Sequence, residues 1–176
     1  MAIKALKWAG IGPRQTPHEV CVVMASVGGQ LDKQGWMLRS GHAQGADQAW
    51  ACCVRPQMRE IWLPWNRFNN GGGEGFHVSP QTSALATVAQ IAHPAWDRLS
   101  DGARKLMMRN VSIILGPDLD DHVKFVAYWS DQRVPQGGTG NAVRLASVYG
   151  IPSFNIAFDD DQQALSTFVD SFKACL

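Results

Sequence analysis

The chain has 176 residues, 45% of them hydrophobic, with 16 Lys and Arg against 15 Asp and Glu. That length supports one core, so a single domain over residues 1–176 is expected. A formal net charge of +1 without a basic run argues against a dedicated nucleic-acid surface, and no stretch approaches the ~20 apolar residues of a membrane span. The opening segment, Met-Ala-Ile-Lys-Ala-Leu-Lys-Trp, has no apolar signal core, which gives the expectation of a soluble, cytoplasmic protein with no membrane partner. Cys21, Cys52, Cys53 and Cys175 form no C-x-x-C pair and are expected to be buried reduced thiols. His18, His42, His77, His93 and His122 lack paired-ligand spacing, so no metal and no resident cofactor are expected.

In chain order, Ala5 to Ala9 has the pattern of a short buried strand, followed by a first glycine turn, Gly10 to Arg14. Thr16 is placed to cap the next helix, with Pro17 in its first turn and Glu19 three residues after the cap. That helix is expected to run towards Gly28 and Gly29, or to resume through Leu31 to Gln34. Gly35 to Arg39 gives a second strand, Ser40 to Asp47 a second glycine turn, and the stretch to Val54 another helix. Glu60 to Leu63 is the third strand. Residues 64–80 then carry Asn69, Asn70, Gly71, Gly72, Gly73 and Gly75 with almost no periodicity, the mark of a long glycine-rich loop. Gln81 to Ala92 and Asp101 to Leu115 have helical patterns. Val123 to Trp129 is a fourth strand, Gly137 to Asn141 a third glycine turn opening a helix, and Ser153 to Ala157 a fifth strand.

Strands alternating with helices predict an α/β, Rossmann-like, mainly parallel sheet with helices on both faces. In such sheets ligands bind beyond the carboxyl ends of the strands, where all three glycine turns fall. Glycine at a turn also serves tight packing of helix on strand. Each turn, however, brings polar groups as well: Arg14 and Thr16, then Ser40 and Asp47, then Thr139 and Asn141. Together they favour a phosphate- or ribose-bearing ligand, since helix amino termini carry unpaired N–H groups and a positive dipole end.

Standard nucleotide fingerprints are absent. There is no G-x-x-x-x-G-K-[ST], and Gly138-Thr-Gly140 is followed by Val143 where a third glycine belongs. Asp159 and Asp160 suit either a grip on ribose hydroxyls or the acidic start of a helix. Arg109 is either a partner for a ligand phosphate or an arginine whose stem lies over its helix. Trp65, Arg67 and Phe68 are placed to stack on a base or to fasten the loop to the core.

Gly10-Ile-Gly-Pro-Arg-Gln-Thr-Pro17, Leu38-Arg-Ser-Gly-His-Ala-Gln-Gly-Ala-Asp47, Leu63-Pro-Trp65, Met108-Arg-Asn110 and Gly137-Gly-Thr-Gly140 resemble, in this order, the SMF/DprA-LOG (SLOG) superfamily of Rossmann-like domains. The resemblance runs from Gly10 to about Asn155. It implies binding of nucleotides, nucleotide-derived molecules or single-stranded DNA along the glycine-turn edge. The Lonely Guy branch cleaves nucleoside monophosphates with an arginine and a glutamate in an R…PGGxGTxxE pattern. Arg109 resembles that arginine, whereas the glutamate position falls on Arg144 and the threonine position on Asn141. Arginine cannot activate water or stabilise an oxocarbenium-like charge.

The sequence therefore favours binding of a small nucleotide-derived ligand over N-glycosidic hydrolysis, with single-stranded DNA binding of the DNA-processing protein A type disfavoured by the even charge. Gly10, Gly12, Arg14, Ser40, Gly41, Asp47, Gly137, Gly138, Thr139, Gly140 and Asn141 are the expected binding edge. Arg109 and Arg144 are assigned to phosphate, and Trp65 with the loop to Gly75 to covering the base. Asp47 and Arg109 are the candidates for any catalytic role. A homodimer through Met107, Met108 or the last helix is a further expectation.

Overall fold

In the computed structural model, which describes residues 5–173, the apolar runs form six strands. These are β1 (Lys7–Ile11), β2 (Met37–Ser40), β3 (Arg59–Leu63), β4 (Phe76–Val78), β5 (Val126–Tyr128) and β6 (Ser153–Asn155). They pair in the order β4-β3-β2-β1-β5-β6, every pair parallel. Six helices longer than one turn accompany them: α1 (His18–Lys33), α2 (Ala46–Ala51), α3 (Ser83–Ala92), α4 (Asp101–Leu115), α5 (Gly137–Val148) and α6 (Asp159–Lys173). This is the α/β, Rossmann-like architecture expected from the alternation.

Successive strand residues point to opposite faces, so both must be covered. Trp8, Leu38, Phe125 and Phe154 face α1, α2 and α6, whereas Ala9, Ile11, Val126 and Tyr128 face α3, α4 and α5. Trp50 of α2 is wholly buried on the first face, where its indole Nε1 donates to the Ile11 carbonyl at 3.0 Å.

Four local expectations need correction. Residues 64–80 are not a continuous loop: Phe76–Val78 add a sixth strand to the outside of β3. Helix α1 passes straight through Gly28 and Gly29, because a side chain at Gly28 would press on the Trp50 carbonyl oxygen and the two helices need that closeness. Thr16 does not cap α1; its hydroxyl donates to the Pro13 carbonyl at 2.8 Å, and Pro17 stands at the cap. The thiols differ too. Cys52 and Cys53 follow the end of α2 onto the surface, Cys21 is half-buried, and Cys175 lies outside the described residues.

A feature with no sequence forewarning holds the other end of the sheet. Arg39, only 1% exposed, donates from Nε to Glu60 at 2.6 Å and also pairs with Asp121, while Lys7 donates to Glu60 at 2.6 Å. Burial pushes the Glu60 carboxyl up, but Lys7 and Arg39 pull it below its ordinary value in net. A carboxylate with a lowered folded pKa adds stability above its ordinary pKa and loses it as pH falls through the lowered value.

Two stability measurements check this packing. Gly28→Ala, which at an exposed helical site would stabilise by about 1 kcal/mol, is expected to destabilise by about 1–3 kcal/mol in urea denaturation because it overpacks the α1/α2 contact. Glu60→Gln is expected to flatten the loss of stability below about pH 4.5; an unchanged acid limb would show that the Arg39 network does not hold the carboxylate.

Candidate ligand-binding cleft

In this strand order the chain runs from β1 to β2 on one side, whereas β5 lies on the other side of β1, so a crevice opens beyond the carboxyl ends of β1 and β5. A cleft of about 530 Å³ occupies that place. Gly12, Pro13, Arg14 and Gln15 from the turn after β1 form one wall. Ala43 comes from the turn after β2, Asp47 from the first turn of α2, and Gln136, Gly137, Gly138 and Thr139 from the start of α5. The remaining wall is α4, with Leu106, Met107, Arg109, Asn110 and Ile113.

The cleft is organised by a buried ion pair. Asp47 on α2 is 4% exposed and Arg109 on α4 is 6% exposed, and their Oδ2 and Nη1 atoms lie 3.3 Å apart. Burial pushes the Asp47 carboxyl up, against the pull of the Arg109 guanidinium and of the Ala43 and Gly12 amides. The Ala43 N–H donates to the same Oδ2 at 3.2 Å. Arg109 stays cationic, since a guanidinium does not give up its proton in proteins. The guanidinium lies over Gly41, where any Cβ would overlap it. Its Nε is buried with no hydrogen-bond partner among the described residues, an N–H left over in a residue that lines the cleft.

Helix α5 delivers the third group. No side chain caps it at Gln136, so its first amides remain open, and a side chain at Gly137 or Gly138 would meet nothing within 4 Å. The entry to α5 is held by buried Asn155 of β6: the Ser130 N–H donates to its Oδ1 at 3.0 Å, and its Nδ2 donates to the Ser130 carbonyl at 2.9 Å. Arg133 adds a surface tie to Asp160 at 2.9 Å and lies over the Phe158 ring.

Among the expected site residues, Gly12, Arg14, Asp47, Arg109, Gly137, Gly138 and Thr139 meet in the cleft. The others do not line it. Ser40 is buried and donates to the Gly10 carbonyl at 2.7 Å, Gly10 packs against Trp50, and Gly41 lies beneath Arg109. Gly140 packs on the Pro135 carbonyl. Asn141 and Arg144 both turn towards the carboxyl end of α3, donating to the Ala92 carbonyl at 3.2 Å each. Trp65 stands in the turn after β3, resting on Phe68 at 5.1 Å. Asp160 opens α6 and pairs with Arg133, in keeping with the helix-start reading. Sequence reasoning missed Asn110, Met107 and Gln136 as lining residues and Asn155 as the residue that positions α5. Only the buried polar residue at a strand end, Asn155, left a signal.

No protein-family model matches the chain, and no curated protein matches it. Among solved structures it is similar to DNA processing protein A from Helicobacter pylori, whose description concerns a unique single-stranded DNA binding mode. The TM-score is 0.61 at 19% identity, over 86% of this chain and 65% of that one. At that identity the likeness is one of fold. No helix among the described residues is long and apolar enough to cross a membrane.

The ion pair is open to a thermodynamic check. Asp47→Ala leaves a buried guanidinium unpaired and is expected to cost about 3–5 kcal/mol in guanidinium chloride denaturation, whereas Asp47→Leu combined with Arg109→Met should recover most of that loss. Additive losses in the double variant would show that the two residues do not act as a pair.

Proposed function

We propose that the cleft binds a phosphate-bearing nucleotide unit and that single-stranded DNA presents it. The observation that carries this reading is the convergence, at the crevice between β1 and β5, of the Arg14 side chain, the Arg109 guanidinium and the open amides of α5. Helix amino termini and arginines are the usual phosphate grips. The apolar α4 wall of Leu106, Met107 and Ile113 suits the face of a base.

The even charge of the whole chain placed DNA behind a small ligand at the level of sequence. The structural likeness to a protein described as binding single-stranded DNA supports the opposite order. Net charge sums the entire surface, while a bound strand meets only the carboxyl edge of the sheet. A second reading, a free nucleotide-derived ligand, is favoured by the size of the cleft, since about 530 Å³ lies within the range of small-molecule pockets. N-glycosidic hydrolysis is less supported: Arg144 replaces the expected carboxylate and is turned to α3.

Fluorescence anisotropy with a labelled oligothymidylate, repeated over a salt series and against competing thymidine monophosphate, tests both readings. Arg14→Ala is expected to weaken oligonucleotide binding and to lower the salt slope by roughly 0.7, one phosphate contact on a single strand. Gly138→Leu, at a position with open space around it, should keep the fold and block the cleft. Binding of the monophosphate alone would establish the second reading, and binding of neither would end both.

A further inference from the structure

We infer that the turn after β3 is a second, base-stacking subsite, which receives the nucleotide adjoining the one in the cleft. This rests on reading the cleft as a nucleotide site, and it deepens that reading by making the recognised unit at least a dinucleotide.

Trp65 is 40% exposed and is the exposed tryptophan among the described residues; Trp8, Trp36, Trp50 and Trp62 are buried and Trp96 and Trp129 half-buried. It does not line the cleft, so it cannot cover a base held there. Instead it is fixed from behind. The Trp65 and Phe68 rings meet at 88° with centroids 5.1 Å apart, and Phe68 is buried in the core. A perpendicular contact occupies at most one ring face, leaving an indole held in place with surface to offer. Arg67, two residues on and exposed, adds a cation to the same turn. An aromatic platform beside an arginine is the arrangement that binds single strands without reading their sequence.

The backbone around the platform is strained. Arg67, Asn69 and Asn70 all have positive φ, at 57°, 47° and 59°, and so does His42 at 59°. Such conformations cost roughly 1–3 kcal/mol each and persist where surrounding contacts impose them, characteristically at ligand clamps. Here the contacts are visible: the Asn69 side chain donates to the His42 carbonyl at 3.0 Å, the Gly71 N–H to the Phe68 carbonyl at 2.9 Å, and the His42 ring meets Phe76 edge-on at 5.0 Å.

Position joins the platform to the cleft. Trp65 follows the carboxyl end of β3 by two residues, and His42 that of β2 by two, so both lie on the cleft's edge of the sheet. His42, tied to Asn69, is the residue before Ala43, which lines the cleft. Two strand spacings, about 10 Å, separate β3 from β1. A strand with one phosphate at Arg14 and α5 and its neighbour's base on Trp65 would thus cross the ends of β1, β2 and β3.

The test compares wild type with Trp65→Ala and Trp65→Phe, using a short oligothymidylate and thymidine monophosphate as separate ligands. Trp65→Ala is expected to weaken the oligonucleotide about tenfold or more while changing monophosphate binding by less than about twofold, and Trp65→Phe to restore most of the loss. Thermal melting confirms that the fold is kept; if Trp65→Ala melts early, Trp65→Leu keeps an apolar contact with Phe68 and removes only the stacking face. Unchanged oligonucleotide affinity in the alanine and leucine variants overturns the subsite while leaving the cleft reading intact. Equal losses for both ligands also overturn it, because Trp65 would then act on the cleft itself. Wild type binding neither ligand ends both proposals together.

Discussion

The arrangement at the carboxyl edge depends on one contact, the Asp47–Arg109 pair lying over Gly41. Asp47 belongs to a helix on one face of the sheet and Arg109 to a helix on the other. They meet beyond the end of β2 only because position 41 has no side chain to obstruct the guanidinium. Burying two charges carries a desolvation cost that their attraction scarcely exceeds, so the gain is one of position rather than stability. The pair fixes α4 against α2, and through the Ala43 and Gly12 amides it fixes both of the turns after β1 and β2. Three of the cleft's walls take their place from that junction. At the amino end of the strands, Arg39 plays a similar part among β1, β2 and β3 through Lys7, Glu60 and Asp121.

The glycines of the three turns, alike in sequence, separate physically into two kinds. Gly10, Gly12, Gly41 and Gly140 are places where backbone or a neighbouring side chain comes too near for a Cβ, and they serve packing. Gly137 and Gly138 have open space instead, and that space is the cleft. The packing glycines bring Trp50, Ala46 and Arg109 into position, and the open ones leave the first amides of α5 bare. Both uses are needed for one site, which is why the run of glycine turns carried a functional signal stronger than any single turn.

Much of the fold was legible because its signals are local. Short hydrophobic runs located β1, β2, β3, β5 and β6, and the helical pattern of Asp101 to Leu115 matches α4 at both ends. The failures share a cause, tertiary contact overriding local preference. Gly28 and Gly29 look like a helix stop until Trp50 is seen across from them. Phe76–Val78 are too short and too polar to announce a strand without β3 beside them. In the site, periodicity located the turns but not the direction of their side chains. Asn141 and Arg144 lie three apart on α5 and therefore share a face, and that face looks at α3 rather than the cleft. Arg39, inside an apolar run, gave no hint of its partners because Glu60 and Asp121 are distant in sequence.

The charge of the cleft bears on what it can hold. Asp47 offsets Arg109, so the uncompensated positive charge amounts to Arg14 and the amino end of α5, the latter worth about half a unit. A di- or triphosphate would bring more negative charge than these groups balance. A single phosphodiester, carrying one charge, matches the cleft closely. That match favours a linkage within a strand over a polyphosphate nucleotide.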